Sequence, residues 1–282
     1  MKTFHPSGKT RRILWSVFGA CLIAVFLFPI YWMVTASVKT DAEIFSSSTS
    51  LLPKAPNLDN YRLLFTQNTG NVGRSFVNSL KNAALTLVIT VLISIPAAYS
   101  LSRFRFRGKK VLILLFLVAQ MLPNTLTLTP LFIMFSSAKL TNNILSVVLA
   151  CSAGSIPFSI MIMRPYFLAV PKELEEAAMI DGCSRIHTFS KIILPVSISG
   201  VITVAVFAFV GGWNNLIYPL TFIQNSNAWP ATAGLYAYNN EYGLKWNMVM
   251  TYSMVLMAPL LMIFIFLQKY MVPGLADGAV KG

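Results

Sequence analysis

The sequence predicts an all-α integral membrane protein with six transmembrane helices and both termini on the cytoplasmic side. Three observations predict this. Of the 282 residues, 56% are apolar or aromatic and only 11% are charged, where soluble domains carry about 25% charged residues. Uncharged runs of span length recur along the chain, and Lys and Arg alternate in density between the segments that join them. A mean hydropathy of +0.66 over this length means that much of the surface faces lipid. That excludes a cytosolic globular enzyme, a disordered chain and a secreted disulfide scaffold. Cys21 and Cys151 lie in apolar runs and Cys183 in a polar loop, with no paired spacing to suggest a disulfide framework or a CxxC metal site.

Taken in order, residues 1–12 form a basic cytoplasmic segment. The first span, about 13–38, rests on the uncharged run from Ile13 to Val38. Its 26 residues exceed the apolar core of about 7–15 residues in a signal peptide, so it is read as a retained helix. The second span, about 80–102, contains 21 uncharged residues from Asn82 to Ser102; the third, about 111–136, lies in a run of 28 from Val111 to Ala138. The fourth, about 141–164, has 24 residues from Leu140 before the charge of Arg164. Each suffices for a hydrocarbon core that takes about 20 residues to cross. The run from Ile192 to Asn240 is 49 residues, too long for one helix and broken by Gly211, Gly212, Asn214, Asn215, Pro219 and Pro230. It is read as a fifth span, about 199–222, followed by an extracytoplasmic loop. The 23 residues from Trp246 to Gln268 supply the sixth span, about 246–268, and leave a glycine-containing cytoplasmic tail, 269–282.

With both termini inside, 15 of the 22 Lys and Arg fall in cytoplasmic segments and 7 outside. The densest group, Arg103, Arg105, Arg107, Lys109 and Lys110, sits in the turn between spans two and three. Five cations in a two-helix turn are read as a topology anchor rather than a phosphate or nucleic-acid site. The net charge of +13 is thus assigned to membrane orientation, with the lipid bilayer and no nucleic acid as partner.

No catalytic residue, metal site or cofactor is assigned to this chain. His5 and His187 have no second His or Cys at ligand spacing. Gly8, Lys9 and Thr10 match the end of a phosphate-binding loop, but Thr3 stands where that loop needs its first glycine, so any ATP must be bound by another chain. Asp41, Glu43, Asp59 and Glu241 are placed outside, and Glu173, Glu175, Glu176, Asp181 and Asp277 inside. With no acid at membrane depth, a proton relay is disfavoured.

The cytoplasmic loop 165–198 carries the most information. Pro171 suits the first turn of a helix, and Glu173, Glu175 and Glu176 follow at its positive end. Leu174, Ala177, Ala178 and Met179 recur at helical spacing. Asp181 and Gly182 then make a turn, and a second amphipathic stretch with Ile186, Phe189, Ile192 and Ile193 runs to Pro195. Such a helix either lies on lipid headgroups or fills a groove on a soluble partner. Three glutamates and little basic charge favour the partner.

Glu176, Ala177, Ala178 and Gly182, followed after nine residues by Ile192, Leu194 and Pro195, match the EAAxxxG and IxLP letters of a signature loop. The chain therefore resembles the permease subunits of bacterial and archaeal ABC importers. Segments 56–65 (PNLDNYRLLF), 211–223 (GGWNNLIYPLTFI) and 274–282 (GLADGAVKG) are similar to the smaller, six-span permease of maltose-type, carbohydrate-uptake systems. The resemblance implies a type I ABC importer permease fold in a bacterial or archaeal plasma (inner) membrane. It implies a second homologous permease subunit, two ATPase subunits that bind ATP and Mg, and an extracytoplasmic sugar-binding protein. It also implies that Glu176, Ala177, Ala178, Asp181, Gly182, Ile192, Leu194 and Pro195 couple the ATPase to the membrane helices, and that the tail reaches toward the ATPase dimer.

A sugar is recognised by planar hydrogen-bonding groups and an aromatic face. Gln120 and Asn124 in span three, and Trp213, Asn214, Asn215 and Tyr218 in span five, are the candidates for a substrate pathway. Interhelical hydrogen bonding and an interfacial aromatic belt are the alternatives. Two rival functions remain open: the same kind of permease for a non-sugar solute, and an independent secondary carrier.

Overall fold

A computed structural model describes residues 8–48, 50–66, 72–241 and 245–279. Most of the expected segment 1–12, with His5, and the last residues of the tail lie outside the described residues. Among the described residues every regular element is helical. The long helices are α1 (Gly8–Ser37), α4 (Val72–Arg103), α7 (Ile144–Ala169) and α14 (Trp246–Ala279). Shorter ones are α2 (Asp41–Ile44), α3 (Asp59–Thr66), α5 (Lys109–Met121), α6 (Leu128–Ser137) and α8 (Glu173–Ile180). They continue with α9 (Arg185–Thr188), α10 (Leu194–Val196), α11 (Ile198–Trp213), α12 (Ile217–Phe222) and α13 (Ala231–Glu241).

Four helical stretches, Arg12–Ser37, Val72–Arg103, Ile144–Ala169 and Trp246–Tyr270, are long and apolar enough to cross a membrane, and two bent pairs raise the number to six if each counts as one span. The expected third span, 111–136, is the first of these bent pairs, and the expected fifth, 199–222, is covered by two helices, α11 and α12. The first pair, Lys109–Met121 and Asn124–Ser137, bends by 97°. Leu122 and Pro123 are extended there, with ψ of 125° and 132°, because proline cannot donate to the preceding turn and biases the residue before it toward extended backbone. In the fifth span α11 stops at Trp213 and the chain resumes helically only at Ile217. Pro219 has no N–H for the carbonyl of Asn215, which instead accepts from Thr232 Oγ1 at 2.8 Å. Elsewhere helices overrun the charge-free runs: α4 starts at Val72, α7 passes through Pro165 to Ala169, and α14 continues to Ala279.

The chain forms two compact units, one of Met1–Asn68 with Tyr238–Met257 and the other of Thr69–Ala237 with Ala258–Gly282. In the first, buried Asn60 donates from Nδ2 to the carbonyls of Ser37 at 2.9 Å and Lys39 at 3.3 Å. Thr251 Oγ1 also donates to the Ser37 carbonyl, at 3.0 Å. Two of these bonds satisfy the Ser37 carbonyl that α1 leaves open at its end. Lys39, 2% exposed, donates to the carbonyl of Ser50 and lies 4.9 Å from the centre of the Trp32 ring.

In the second unit α4 packs along α7 and α11. Ile95, Ala98 and Leu101 of α4 meet Ile160, Met163 and Phe167 of α7, Val204 of α11 and Ile193. A second cluster joins Phe135 of α6, Val147, Ala150 and Cys151 of α7, and Tyr218 and Phe222 of α12. Earlier along α4, buried Ser79, Asn82, Ala83, Thr86, Thr90 and Ser94 form a stripe of small side chains at helical spacing. In lipid, apolar burial gives no drive for helices to associate, and small residues let backbones approach instead.

Candidate functional site

The loop after α7 is assembled by local rules. Val170 is extended ahead of Pro171, and the carbonyl of Lys172 accepts from the backbone N–H groups of Glu175 at 2.9 Å and Glu176 at 3.1 Å, opening α8. Glu173, Glu175 and Glu176 occupy its first turn, where carboxylates complement the helix dipole. At the other end Gly182 has φ +85°. Its N–H donates to Met179 O at 3.1 Å while that of Cys183 donates to Ala178 O at 3.0 Å, satisfying carbonyls the helix leaves open. Ser184 Oγ then accepts from His187 N–H at 3.3 Å and caps α9. The return arm passes through a π-helical segment, Phe189–Ile193, and α10, and bends by 81° into α11.

The eight residues assigned to coupling divide by face. Ala178 is 5% exposed, and Ile192 and Leu194 pack on the cluster around Phe167 and Ile193. Glu176, Ala177, Asp181, Gly182 and Pro195 face outward. Beside them Ile180 is 86% and Ile186 80% exposed. One face thus anchors the loop to the bundle, and the other presents two carboxylates, two small residues and two bare isoleucines.

The anchor also uses residues absent from that set. Arg103, at the end of α4, ion-pairs through Nε with Glu175 Oε1 at 2.5 Å, and their side chains are only 5% and 13% exposed. Arg103 also donates to the carbonyl of Val170 at 2.8 Å. Tyr99, one turn earlier, donates its hydroxyl to Glu175 Oε2 at 3.2 Å. Its ring centre lies 4.7 Å from that of Phe189 and 5.6 Å from that of Phe167. A cleft of about 220 Å³ beside this contact is lined by Lys172, Glu176, Met179 and Thr188. Sequence reasoning counted Arg103 among the topology charges. Its spacing of four from Tyr99, which puts both on one helix face, was the available signal.

The six residues expected as candidates for a substrate pathway lie at the two helix breaks. Gln120 and Asn124 are exposed on either side of the 97° bend. Gln120 Nε2 donates to Phe116 O at 3.1 Å. At the other break Asn214 is exposed, and Asn215 Oδ1 accepts from Tyr218 N–H in the first turn of α12 at 2.9 Å. Trp213 and Tyr218 are 1% and 4% exposed. Trp213 stacks on Phe209 at 5.7 Å and Tyr218 on Phe222 at 5.6 Å. The arms beyond the breaks pack together, with Phe135 of α6 edge-on to Phe222 of α12 at 5.1 Å.

Residues 90–277 match the family described as binding-protein-dependent transport system inner membrane component. The chain is 31% identical over 274 residues to the diacetylchitobiose uptake system permease protein DasC of Streptomyces coelicolor, covering 96% of this chain and 98% of the relative. It is 33% identical over 274 residues to the trehalose/maltose transport system permease protein MalG of Thermococcus litoralis, with the same coverage of 96% and 98%. Its fold is similar to a chain in the crystal structure of a bacterial ABC transporter involved in the import of the acidic polysaccharide alginate. The TM-score is 0.81 at 18% identity, over 96% of this chain and 99% of that one.

Proposed function

Because the chain belongs to the family of binding-protein-dependent transport system inner membrane components, we propose that it is the translocation subunit of an importer for a sugar or oligosaccharide. The family makes it a multi-pass membrane protein and a non-catalytic permease, with ATP hydrolysed on a separate chain. The sugar assignment rests on near full-length similarity to permeases named for diacetylchitobiose and for trehalose/maltose.

In this reading both termini are cytoplasmic, in a bacterial or archaeal plasma membrane. The subunit pairs with a second, homologous permease, receives solute from an extracytoplasmic sugar-binding protein, and docks on two ATPase subunits that hold ATP and Mg. The observation that carries it is the outward face of α8. Glu176, Ala177, Ile180, Asp181 and Gly182 crown an anchored loop and suit the groove of a soluble partner. Because α8 is anchored to the bundle, closure of the ATPases on nucleotide binding biases the membrane helices between their two openings. That bias requires differential contact with the two states. Gln120, Asn124 and Asn214 offer amide groups to the solute at the helix breaks, supported by Trp213, Asn215 and Tyr218. Discontinuous helices are common at transport sites.

Mild-detergent affinity purification from the native host, with mass spectrometry, tests the assembly. An ATPase and a second permease are expected with the chain, and their absence under several mild conditions would remove the docking reading and leave an independent carrier to be tested by gradient-driven flux. Stimulation of ATP hydrolysis by diacetylchitobiose, trehalose or maltose in the reconstituted complex tests the solute class. Stimulation by an amino acid alone would transfer the same mechanism to a non-sugar solute.

A further inference from the structure

Three neighbouring glutamates open α8, yet they are used differently. Glu173 and Glu176 face solvent, whereas Glu175 turns inward against α4. Its partner Arg103 is likewise unlike the exposed Arg105 and Arg107 that follow it. A solvated anchor charge needs no carboxylate, and a buried ion pair adds little stability over apolar packing. What it does impose is a condition on movement, because separating the two leaves an uncompensated charge in a desolvated place. Around the pair, one turn of α4 meets three segments of the loop: the end of α7, α8 and the start of the return arm. Arg103 holds the end of α7 through Val170 O and holds α8 through Glu175, while Tyr99 holds Glu175 again and the return arm through Phe189.

We infer that Tyr99 and Arg103 are positioning residues that make α4 move as one body with α8, so that displacement of α8 is delivered to α4. The inference rests on the coupling reading of α8 given above. α4 is well placed to pass the motion on, since it packs along both α7 and α11, and Asn82 bonds the carbonyl of Gly212 beside the break in the fifth span. Coupling of this kind is carried by a physical element with two positions rather than by proximity alone.

The test uses the complex purified from the native host, with the native cysteines replaced and spin labels at Leu92→Cys on α4 and Leu174→Cys on α8, both exposed positions. The distance between labels is measured with ADP and with MgATP plus vanadate. The wild-type pair is expected to keep the same distance in both nucleotide states. In Glu175→Gln and Arg103→Met it is expected to differ between states by more than about 2 Å, the scale of helix shifts at interfaces. Tyr99→Phe keeps both charges and is expected to give a smaller difference or a broadened distribution, which decides the matter should the charge variants fail to assemble. A wild-type distance that changes with nucleotide overturns the inference, and so does a distance as constant in Tyr99→Phe and the charge variants as in the wild type. Retention of the ATPase is scored in the same samples. If the wild type does not hold an ATPase, the coupling reading fails and takes this inference with it, whereas a bound ATPase with distances unmoved by the variants overturns only the role of Tyr99 and Arg103.

Discussion

Asn82 Nδ2 donates to the carbonyl of Gly212 at 2.6 Å, and at these two residues α4 lies close against the end of α11. A Cβ placed on Gly212 would lie 2.9 Å from Ala83 Cα and 3.0 Å from Thr86 Cβ. At Gly211 the nearest atom is the hydroxyl of Ser155, at 3.3 Å.

Gly212→Ala is therefore expected to destabilise the second unit by about 1–3 kcal/mol, since it forces apart two helix backbones. Gly211→Ala gains the same helix propensity, about 1 kcal/mol, and meets a single side-chain hydroxyl that can rotate away rather than a backbone, so the difference between the two variants reports the backbone contact. Asn82→Ala should cost less than Gly212→Ala, about 0.6 kcal/mol, as interhelical hydrogen bonds in membranes do on average. Thermal melting of the three variants in one detergent checks the order, and equal melting of the two glycine variants would contradict it.

Gly182 has open space around its missing Cβ and a φ of +85°, so its variants report backbone strain alone. A side chain there costs about 1–2 kcal/mol, least for Asn and most for a β-branched residue. ATPase retention on affinity purification is expected to fall in the order Gly182→Asn, Gly182→Ala, Gly182→Val. Gly108, at φ +87° in the turn before α5, would impose comparable strain on a side chain but lies outside the docking face, and Gly108→Ala should leave retention unchanged.

Ile180 and Ile186 are 86% and 80% exposed. Ile180→Asp and Ile186→Asp should release the ATPase while leaving the melting temperature of the isolated chain as it was, because neither side chain is buried in it. A co-purification yield equal to wild type would show that this face is not the docking surface.

Lys39 closes the segment that follows α1 by its bond to Ser50 and its position over Trp32. Lys39→Met removes a donor to a backbone carbonyl and a cation from an aromatic face, the latter worth about 2 kcal/mol when desolvated. Limited proteolysis between residues 40 and 57 is expected to become faster, with cleavage elsewhere unchanged.

The membrane class and the signature loop were legible in the sequence because their signals are local. Hydropathy sums over a window of one span, and Glu176 to Pro195 lie within twenty consecutive positions. The cap at Gly182 is equally local, needing only a residue without a Cβ. Pro123 and Pro219 were visible too, but a proline announces only a missing donor. Whether the helix kinks or breaks depends on where the freed carbonyl finds a partner, and for Asn215 that partner is Thr232, seventeen residues on. Trp213 and Tyr218 looked like ring platforms in sequence, and their burial against Phe209 and Phe222 follows from how α11 and α12 pack.

Arg103 makes the division sharpest. Along the chain it is one cation in a basic turn, and charge density alone assigns that turn to the cytoplasmic side. Its desolvation, and its pairing with a glutamate 72 positions away, exist only once α7 has carried the chain back beside α4. Hydropathy and turn chemistry act between neighbours in sequence, so sequence reports them; ion pairing and burial depend on neighbours in space, so the fold alone supplies them.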